Sequence, residues 1–436
     1  MENRIKVIDS PTGSGKTTYA INYINSLPSE TKVIFITPFL SEVERVISAC
    51  KSKNFVQPDK KFGKGSKMAN FIELIKRGDN IVSTHALFTS INENVIAALK
   101  LYDYILILDE VMNVIEQFNL YDANNRSNDD TKTRMTIEDI ITLKEQGILQ
   151  VDGNGVIHWA DPEKKLHKYE KLKEMADREL LYLINDTVLI WTFPILIFQE
   201  GLFSEIMVLT YLFNYQIQSF YYDYYGLNHS LYHIEQIDRK YQMIKTTDYE
   251  YDKKFREEAK KLITVCEIDS LNRIGSVYYD DTNHKRLSAL SKNWYSKHQD
   301  IVPVLGKNAY NFFLHHTTSQ STERMWTTFK EFISILKNKN LSKKTMLELN
   351  ARSTNMYRDK TALAYMVNRY PQPHFETFFA SKGVELDRDG FAISEMVQWI
   401  YRSAVRDGVP ISIYIPSERM RNLLYQWMNF YNKEYG

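Results

Sequence analysis

The sequence predicts an α/β protein of two lobes, each built on a parallel sheet flanked by helices. In the first third, short β-rich runs alternate with helical stretches, which is typical of a parallel sheet covered on both faces. In the second half, strand-like runs at 345–349 and 411–415 and a helical run at 394–406 indicate another α/β unit. We therefore expect lobe one at 1–225, and a linker region with lobe two at 226–436.

The elements of lobe one are predicted from hydrophobic periodicity. Strands are expected at 4–9, 32–37, 80–83 and 104–108, then at 188–191 and 206–211. Helices are expected at 17–26 and 41–50. Residues 119–187 interrupt this rhythm, because they are first polar and then charged, with a helical pattern at 164–179. We expect them to form an insertion or a small helical subdomain.

Composition narrows the classes of partner and compartment. Lys and Arg total 55 against 54 Asp and Glu, so contacts with phosphates must come from local clusters and backbone amides, not a global field. Cys50 and Cys266 are far apart, which excludes a disulfide framework or a zinc pattern and favours a reducing cytoplasm. The apolar run 188–198 is too short for a membrane span, which needs about 20 residues, so no membrane partner is expected.

A glycine-rich loop follows the first predicted strand. Residues 10–18 read SPTGSGKTT and lead into a predicted helix, which is the context of a phosphate-binding loop. Gly13 and Gly15 let the backbone approach phosphates, and the amides at the helix start point at the anion. Lys16 is expected to reach the β- and γ-phosphates, and Thr17 to give a hydroxyl to Mg²⁺. The predicted nucleotide contacts are Pro11, Thr12, Gly13, Ser14, Gly15, Lys16, Thr17 and Thr18.

Two adjacent acids end another predicted strand. The apolar run 104–108 is followed by Asp109 and Glu110. A carboxylate at the end of a parallel strand lies at the mouth of the sheet, where the phosphate-binding loop also lies. We expect Asp109 to hold Mg²⁺ through water and Glu110 to orient and deprotonate the attacking water. The loop and the acids predict an ATPase or GTPase. ATP is favoured, because residues 1–120 lack the Asn-Lys-x-Asp guanine-recognition pattern.

The order of these elements resembles that of superfamily 2 helicases. The PTGSGKT loop is similar to their motif I, in which the glycine that Ser10 replaces is often absent, and DEVM at 109–112 is similar to their DExx motif II. The stretches 36–39 and 82–88 resemble motif Ia and the Thr-His stretch before motif II. In the family both stretches touch the nucleic-acid backbone, although capping of the following helices would also explain the threonine and the histidine. The resemblance implies that Thr37, Pro38, Thr84 and His85 contact a nucleic-acid strand.

The second half carries the more specific part of the resemblance. Residues 395–406 read EMVQWIYRSAVR and resemble motif VI, in which a glutamine contacts the nucleotide and arginines reach its γ-phosphate. Gln398, Arg402 and Arg406 are spaced four apart and would share one helix face, although a solvated basic face has the same pattern. An arginine finger can raise the rate by about 10³ or more. Because the last arginine lies eight residues after the glutamine, not the usual seven, either arginine remains a candidate for the main finger.

Further stretches extend the resemblance over nearly the whole chain. Residues 349–355 resemble motif V. This resemblance implies that Arg352, Thr354 and Asn355 contact a nucleic-acid strand. Residues 325–330 are a candidate motif IV, and motif III is either 191–192 or 209–211, with the second slightly favoured. The stretches WTFP, VLTYLF, MWTTFK, NARSTN and QWIYRSAVRDG are similar to helicases encoded by bacteriophages of low-GC bacteria.

The resemblance implies two RecA-like P-loop NTPase domains, with the helical insertion in the first. It implies an ATP-dependent helicase or translocase that uses Mg²⁺ and acts on single-stranded or branched nucleic acid, DNA being favoured over RNA. We expect a role in phage replication or recombination, with the proteins of those processes as partners. We expect the protein to be a monomer in the bacterial host cytoplasm. Two alternatives remain open: an ATPase that remodels or anneals strands without unwinding them, and a regulatory module that binds ATP.

Overall fold

Two α/β lobes and a smaller subdomain account for the residues described by the computed structural model. These are 3–63, 65–118, 137–164, 166–276, 278–279, 285–336, 341–349 and 356–429. The sheets are mostly parallel, and the fold class predicted from the sequence is confirmed. No helix within the described ranges has the length and hydropathy needed to cross a membrane.

Lobe one opens with strands and helices in alternation. Its first strands are β1 (Ile5–Asp9), β2 (Lys32–Thr37), β3 (Phe55–Val56), β4 (Asn80–Thr84) and β5 (Tyr104–Asp109). Its first helices are α1 (Lys16–Ser26), α2 (Leu40–Ala49), α3 (Lys67–Arg77), α4 (His85–Thr89) and α5 (Glu93–Leu99). All six residues of β5 are buried, because a parallel sheet with helices on both faces excludes water from both sides.

The insertion expected as a helical subdomain contains more β-structure than predicted. Its first part, 119–136, lies outside the described residues. Within 119–187 the strands are β7 (Leu149–Val151), β8 (Ile157–Trp159) and β9 (Leu181–Ile184), and the helices are α6 (Ile137–Glu145) and α7 (Glu170–Asp177). Strands β6 (Ile115–Gln117) and β10 (Val188–Thr192) lie just outside these bounds. Strands β6, β10 and β9 form one antiparallel sheet, and β7 pairs with β8. Strands of three residues are too short to show a period of two in the sequence.

Lobe one then resumes and continues past residue 225, where the division was expected. Its last elements are β11 (Phe203–Thr210), α8 (Ile217–Tyr224), β12 (His229–Ile237) and β13 (Lys240–Thr246). The eight strands follow the order β13-β12-β1-β11-β5-β2-β4-β3. Because β12 pairs in parallel with β1, and β13 pairs with β12, the first sheet runs to Thr246.

Lobe two contains a four-stranded parallel sheet in the order β14-β19-β18-β17. Its helices are α9 (Lys253–Leu262), α10 (Asp269–Asn272), α11 (Lys292–Lys297), α12 (Val302–His315), α13 (Ile333–Leu336), α14 (Pro373–Ala380), α15 (Arg388–Ile400) and α16 (Glu418–Met428). Its strands are β14 (Ile263–Val265), β15 (Tyr278–Tyr279), β16 (Lys285–Arg286), β17 (Arg324–Thr327), β18 (Ala362–Tyr365) and β19 (Ile411–Tyr414).

Two expectations for lobe two require correction. The strand expected at 345–349 is a single parallel bridge between Met346 and Trp326, because a 3-10 turn occupies Lys343–Thr345. The helix expected at 394–406 ends at Ile400, and a separate 3-10 turn follows at Ala404–Asp407. The proposed motif VI side chains therefore do not share one helix face.

Each lobe has its own core, but two segments cross the division: Tyr211 and Leu212, after β11, belong to the core of lobe two, and α14 reaches the core of lobe one. Phe378 of this helix belongs to the core of lobe one and is fully buried. Its ring stacks on Tyr224 of α8 at a centroid distance of 4.4 Å and meets Tyr182 of β9 edge-on at 4.9 Å. An apolar contact thus joins lobe two both to lobe one and to the inserted subdomain.

Candidate functional site

The candidate site lies where three neighbouring strands of lobe one end. Strand β11 is between β1 and β5, and all three are parallel. The phosphate-binding loop follows β1, Asp109 ends β5, and Thr210 ends β11. The carboxyl ends of parallel strands open at one edge of the sheet, so the topology alone brings these residues together.

The loop leads directly into the start of α1. Gly15 precedes the helix in a left-handed conformation (φ 92°), and no side chain among the described residues caps the first turn. The backbone N–H groups of that first turn and the helix dipole would favour the binding of phosphates there. Lys16 Nζ donates to the backbone oxygens of Ser10, at 2.5 Å, and Pro11, at 2.9 Å. Burial lowers the pKa of Lys16, and the charges of Glu110, Asp9 and Asp109 oppose that shift.

Ser10 has a structural reason to replace the glycine of the strict pattern. Its hydroxyl accepts a hydrogen bond from the backbone N–H of Ile234 at 2.8 Å. Its own N–H donates to the backbone oxygen of Thr210 at 2.9 Å. The first residue of the loop is thereby fixed to β12 and to the end of β11.

The residues predicted to hold Mg²⁺ lie side by side. Thr17 Oγ1 donates to Asp109 Oδ1 at 3.4 Å. Burial, followed by the charges of Glu110 and Glu42, raises the pKa of Asp109 to about 7. A buried carboxylate beside a second acid gains from a bound cation, and Mg²⁺ usually takes one or two carboxylates together with substrate phosphates. This donor set therefore fits Mg²⁺ together with a nucleotide.

Glu110 has a backbone conformation that is uncommon for a residue with a side chain. Its φ is 72°, and its N–H donates to the backbone oxygen of Leu209 at 2.8 Å. Residues held in this region of φ/ψ space occur preferentially at functional sites. Its Oε1 lies 3.7 Å from Nη2 of Arg402, which comes from the other lobe.

Lobe two contributes the three side chains predicted from motif VI, although two of them follow the end of α15. Gln398 Nε2 donates to the backbone oxygen of Tyr211 at 3.2 Å. Arg402 is 4% exposed, and its Nε has no hydrogen-bond acceptor among the described residues. Burial, followed by the charges of Arg402 and Arg358, lowers the pKa of Arg406, which places Arg406 near Arg402. Gln398 and Arg402 thus lie on the side of lobe two that faces lobe one, and Arg406 is near enough to Arg402 for their charges to interact.

The residues predicted to contact a nucleic-acid strand differ in how far they are exposed. Thr37 is fully buried, so it offers no surface to a strand in this conformation, because β2 lies inside the sheet. Pro38, Thr84 and His85 are partly exposed at the same edge. His85 Nε2 lies 3.0 Å from the backbone oxygen of Asp109, so its ring faces the hydrolysis site. The other predicted contacts, Arg352, Thr354 and Asn355, lie outside the described residues.

Of the two candidate motif III segments, 209–211 lies in this site. Leu209 and Tyr211 accept the hydrogen bonds from Glu110 and Gln398 described above. Gln216, just beyond, bonds to both Thr210, at 3.0 Å, and Tyr211, at 2.7 Å. The alternative, 191–192, lies on β10 in the small sheet of the insertion.

A cleft of about 400 Å³ separates the lobes beside Glu110. The segment after β5 and the start of α8 line one side, and the start of α14 and the helix α15 line the other. Its polar lining includes Asn113, Gln117, Gln218, Arg369, Gln372 and Glu395.

The sequence reading missed Asp9, which lies directly before the loop. Its carboxylate is buried and accepts four hydrogen bonds, two of them from Tyr249 and Tyr251. A charged residue at the end of a buried strand is the sequence feature that could have identified Asp9. The two tyrosines could not be linked to Asp9 from the sequence, because they lie 240 and 242 residues away in the chain.

Comparisons with known proteins agree with this architecture. The family model described as "DEAD/DEAH box helicase" matches residues 1–127. The models described as "YonV middle domain" and "YonV C-terminal Rossmann-like domain" match residues 131–191 and 257–428. A solved structure described as "XPD_APO" shares the fold, with a TM-score of 0.52 at 10% identity over 98% of this chain and 96% of that chain. Another, "Structure of S. tokodaii Xpd4", has a TM-score of 0.48 at 13% identity, over 99% and 95% of the two chains.

The class is that of the DExx helicases of superfamily 2. Within this class, the chain is 37% identical over 434 residues to the "SPbeta prophage-derived uncharacterized protein YonV" of Bacillus subtilis (strain 168), and the match covers 98% of both chains. The chain belongs to the YonV family.

Proposed function

We propose that this chain is an ATP-dependent helicase or translocase that acts on single-stranded or branched nucleic acid. The observation that carries the proposal is Arg402, a buried guanidinium of lobe two that lies 3.7 Å from Glu110 in lobe one, beside the phosphate-binding loop. An ATP-binding regulatory module would not need a second lobe that brings a cation to the hydrolytic acid. DNA is the favoured substrate, and the role that we propose is in phage replication or recombination; the prophage origin of the B. subtilis relative supports the phage context.

Lobe one binds the nucleotide in this proposal. The amides at the start of α1 and the ammonium of Lys16 hold the phosphates. Lys16 would exchange its bonds with Ser10 and Pro11 for bonds with phosphate oxygens. Mg²⁺, held by Thr17 and Asp109, would neutralise charge on the phosphates. Glu110 would orient the attacking water and accept its proton.

Lobe two completes the site. Arg402 would move from Glu110 to the γ-phosphate and stabilise the charge that develops during transfer. Gln398 already bridges the lobes through Tyr211, so a change at the nucleotide reaches the end of β11 directly. Cycles of closure and reopening would then shift the two lobes along a strand.

The direct test is ATP turnover measured with no nucleic acid, with single-stranded DNA, with RNA and with duplex DNA. We expect Mg²⁺-dependent turnover that rises with single-stranded DNA and falls as salt increases, because contacts with the backbone release counterions. Glu110→Gln should retain ATP binding and lose turnover by about 10² or more, as removal of a general base does.

Strand displacement on a forked DNA distinguishes a helicase from an enzyme that remodels or anneals strands. Displacement that depends on ATP supports unwinding, whereas stimulated turnover without displacement supports a translocase or remodelling enzyme. Undetectable turnover in the wild type, or turnover unchanged by Glu110→Gln, would refute the proposal.

A further inference from the structure

Asp9 ends β1, directly before the phosphate-binding loop, and no step of the proposed hydrolysis uses it. Its side chain is 1% exposed. A buried carboxylate is stable only where it is paired or fully hydrogen-bonded. The positions of its hydrogen-bond donors therefore show which segments of the protein Asp9 holds together.

Four donors share the two oxygens of Asp9. Oδ1 accepts from the backbone N–H of Leu212 at 2.7 Å and from the hydroxyl of Tyr251 at 3.1 Å. Oδ2 accepts from the backbone N–H of Phe213 at 2.7 Å and from the hydroxyl of Tyr249 at 3.0 Å. Two bonds thus come from the turn after β11, and two come from the segment 247–252.

The segment 247–252 joins the lobes, because it connects β13 of the first sheet to α9 of lobe two. Both of its tyrosines are positioned by ring contacts with lobe one. Tyr249 stacks on Tyr215 at 5.8 Å, and Tyr251 stacks on His233 at 4.6 Å with an interplanar angle of 3°. The hydroxyl groups therefore point at Asp9 from rings that are already in place.

The next residue extends the connection into lobe two. Asp252 accepts a hydrogen bond from the hydroxyl of Tyr211 at 2.6 Å and forms an ion pair with Arg256 of α9 at 2.7 Å. The guanidinium of Arg256 lies 5.7 Å from the ring centre of Trp427 in α16. Side-chain contacts and chain neighbours thus connect Asp9, directly before the phosphate-binding loop, to the core of lobe two.

We propose that Asp9 is a positioning residue that couples the phosphate-binding loop to the segment joining the lobes. The inference rests on the proposed function and assigns to that site the element through which lobe closure reaches the loop. Its hydrogen bonds are directional, so a displacement of 247–252 by about an ångström weakens two of them. The remaining two hold Asp9 to the turn after β11, and the loop begins at the next residue.

The electrostatics of Asp9 agree with this role. Burial raises the pKa of Asp9 to about 6, and the four donors oppose that shift. The carboxylate is therefore largely ionised at neutral pH, and its bonds to the tyrosines are charge-assisted. Its charge also acts on Lys16 and favours the protonated ammonium.

The test is the double variant Tyr249→Phe/Tyr251→Phe, which removes two hydroxyl groups and keeps both rings. The matched control is Tyr169→Phe, which removes a tyrosine–aspartate bond of 2.8 Å to Asp139 in the inserted subdomain. We expect basal turnover and the KM for ATP to stay within about twofold in both variants. Stimulation by a single-stranded DNA oligonucleotide should fall by about tenfold in the double variant alone, since two charge-assisted bonds are lost.

A second readout does not depend on turnover. Lys245, Lys253 and Lys254 are exposed and flank the joining segment, so trypsin reports its release from lobe one. Without nucleotide, the double variant should be cut there faster than the wild type and the control. Mg²⁺ and ATP should slow the cut in the wild type but not in the double variant.

Unchanged stimulation together with unchanged cleavage in the double variant would overturn the coupling. A lower melting temperature with the stimulation ratio retained would also overturn it, because it would show a merely structural role. A wild type without turnover would refute the proposed function, whereas faster cleavage in the double variant would still support the link between Asp9 and the joining segment.

Discussion

The two lobes contribute to the cleft in different ways. In lobe one, the loop and its acids belong to adjacent strands of one sheet, and local hydrogen bonds position them. In lobe two, Arg402 lies beyond the end of α15 and approaches its partner only to 3.7 Å. The difference suggests that lobe one is organised before the nucleotide binds, whereas lobe two acts when the cleft closes.

Two of the contacts between the lobes are of different kinds. The contact between the end of α15 and the hydrolysis site includes the polar pairs Gln398 with Tyr211 and Arg402 with Glu110. The contact through α14 is apolar and buried, with Phe378 stacked on Tyr224 at 4.4 Å. Polar contacts can be exchanged with a nucleotide at little cost, but separating buried rings exposes apolar area to water. We expect the first contact to change during a cycle and the second to persist.

The largest effect is expected for Lys16→Ala, which tests whether lobe one alone binds the phosphates. The substitution removes the ammonium that would contact the phosphates in both the ground state and the transition state, so ATP affinity and turnover should both collapse. Equilibrium binding of ATP and steady-state turnover measure the two losses. Lys60→Ala, at an exposed lysine of the same lobe, is the control and should change neither. Normal turnover in Lys16→Ala would contradict the assignment of the loop.

Arg402→Ala tests the contribution of lobe two and should have the next largest effect. We expect ATP binding to be retained and turnover to fall by about 10³, as loss of an arginine finger does. Arg406→Ala should have a smaller effect, because Arg402 is the arginine that faces Glu110. Arg358, exposed and paired with Asp407, provides a control substitution next to the site. A greater loss of turnover in Arg406→Ala than in Arg402→Ala would reverse the assignment.

The success of sequence reasoning depended on how local the signal was. Lys16 and Asp109 belong to strand–loop patterns in which a few neighbouring residues determine the geometry. Gln398 and Arg402 are implied by the resemblance to motif VI, and they reach the cleft although the helix expected to align them ends at Ile400. Asp9 was missed, because its tyrosine partners become neighbours only when β12 pairs with β1 and brings the end of the first sheet beside the loop.

Thr37 is still a predicted contact with the nucleic-acid strand, but its side chain is buried in this conformation. A threonine directly before Pro38 matches the family pattern for a strand contact, but pattern alone does not report depth within a sheet. Strand β2 is flanked by β5 and β4, and its last residue is still covered. The partly exposed Thr84, at the end of the neighbouring strand, is the better candidate on this edge.

The smallest effect on turnover is expected at the apolar contact between the lobes. Phe378→Ala should destabilise the protein by about 3–5 kcal/mol, because it removes a fully buried ring. Below the melting transition, basal turnover should stay within about twofold, since no bond of the site depends on the ring. Phe312→Ala, in the core of lobe two, is the matched control for lost stability. If Phe378→Ala lost turnover as Arg402→Ala does while Phe312→Ala did not, the apolar contact would take part in closure, and the contrast between the two contacts would fail.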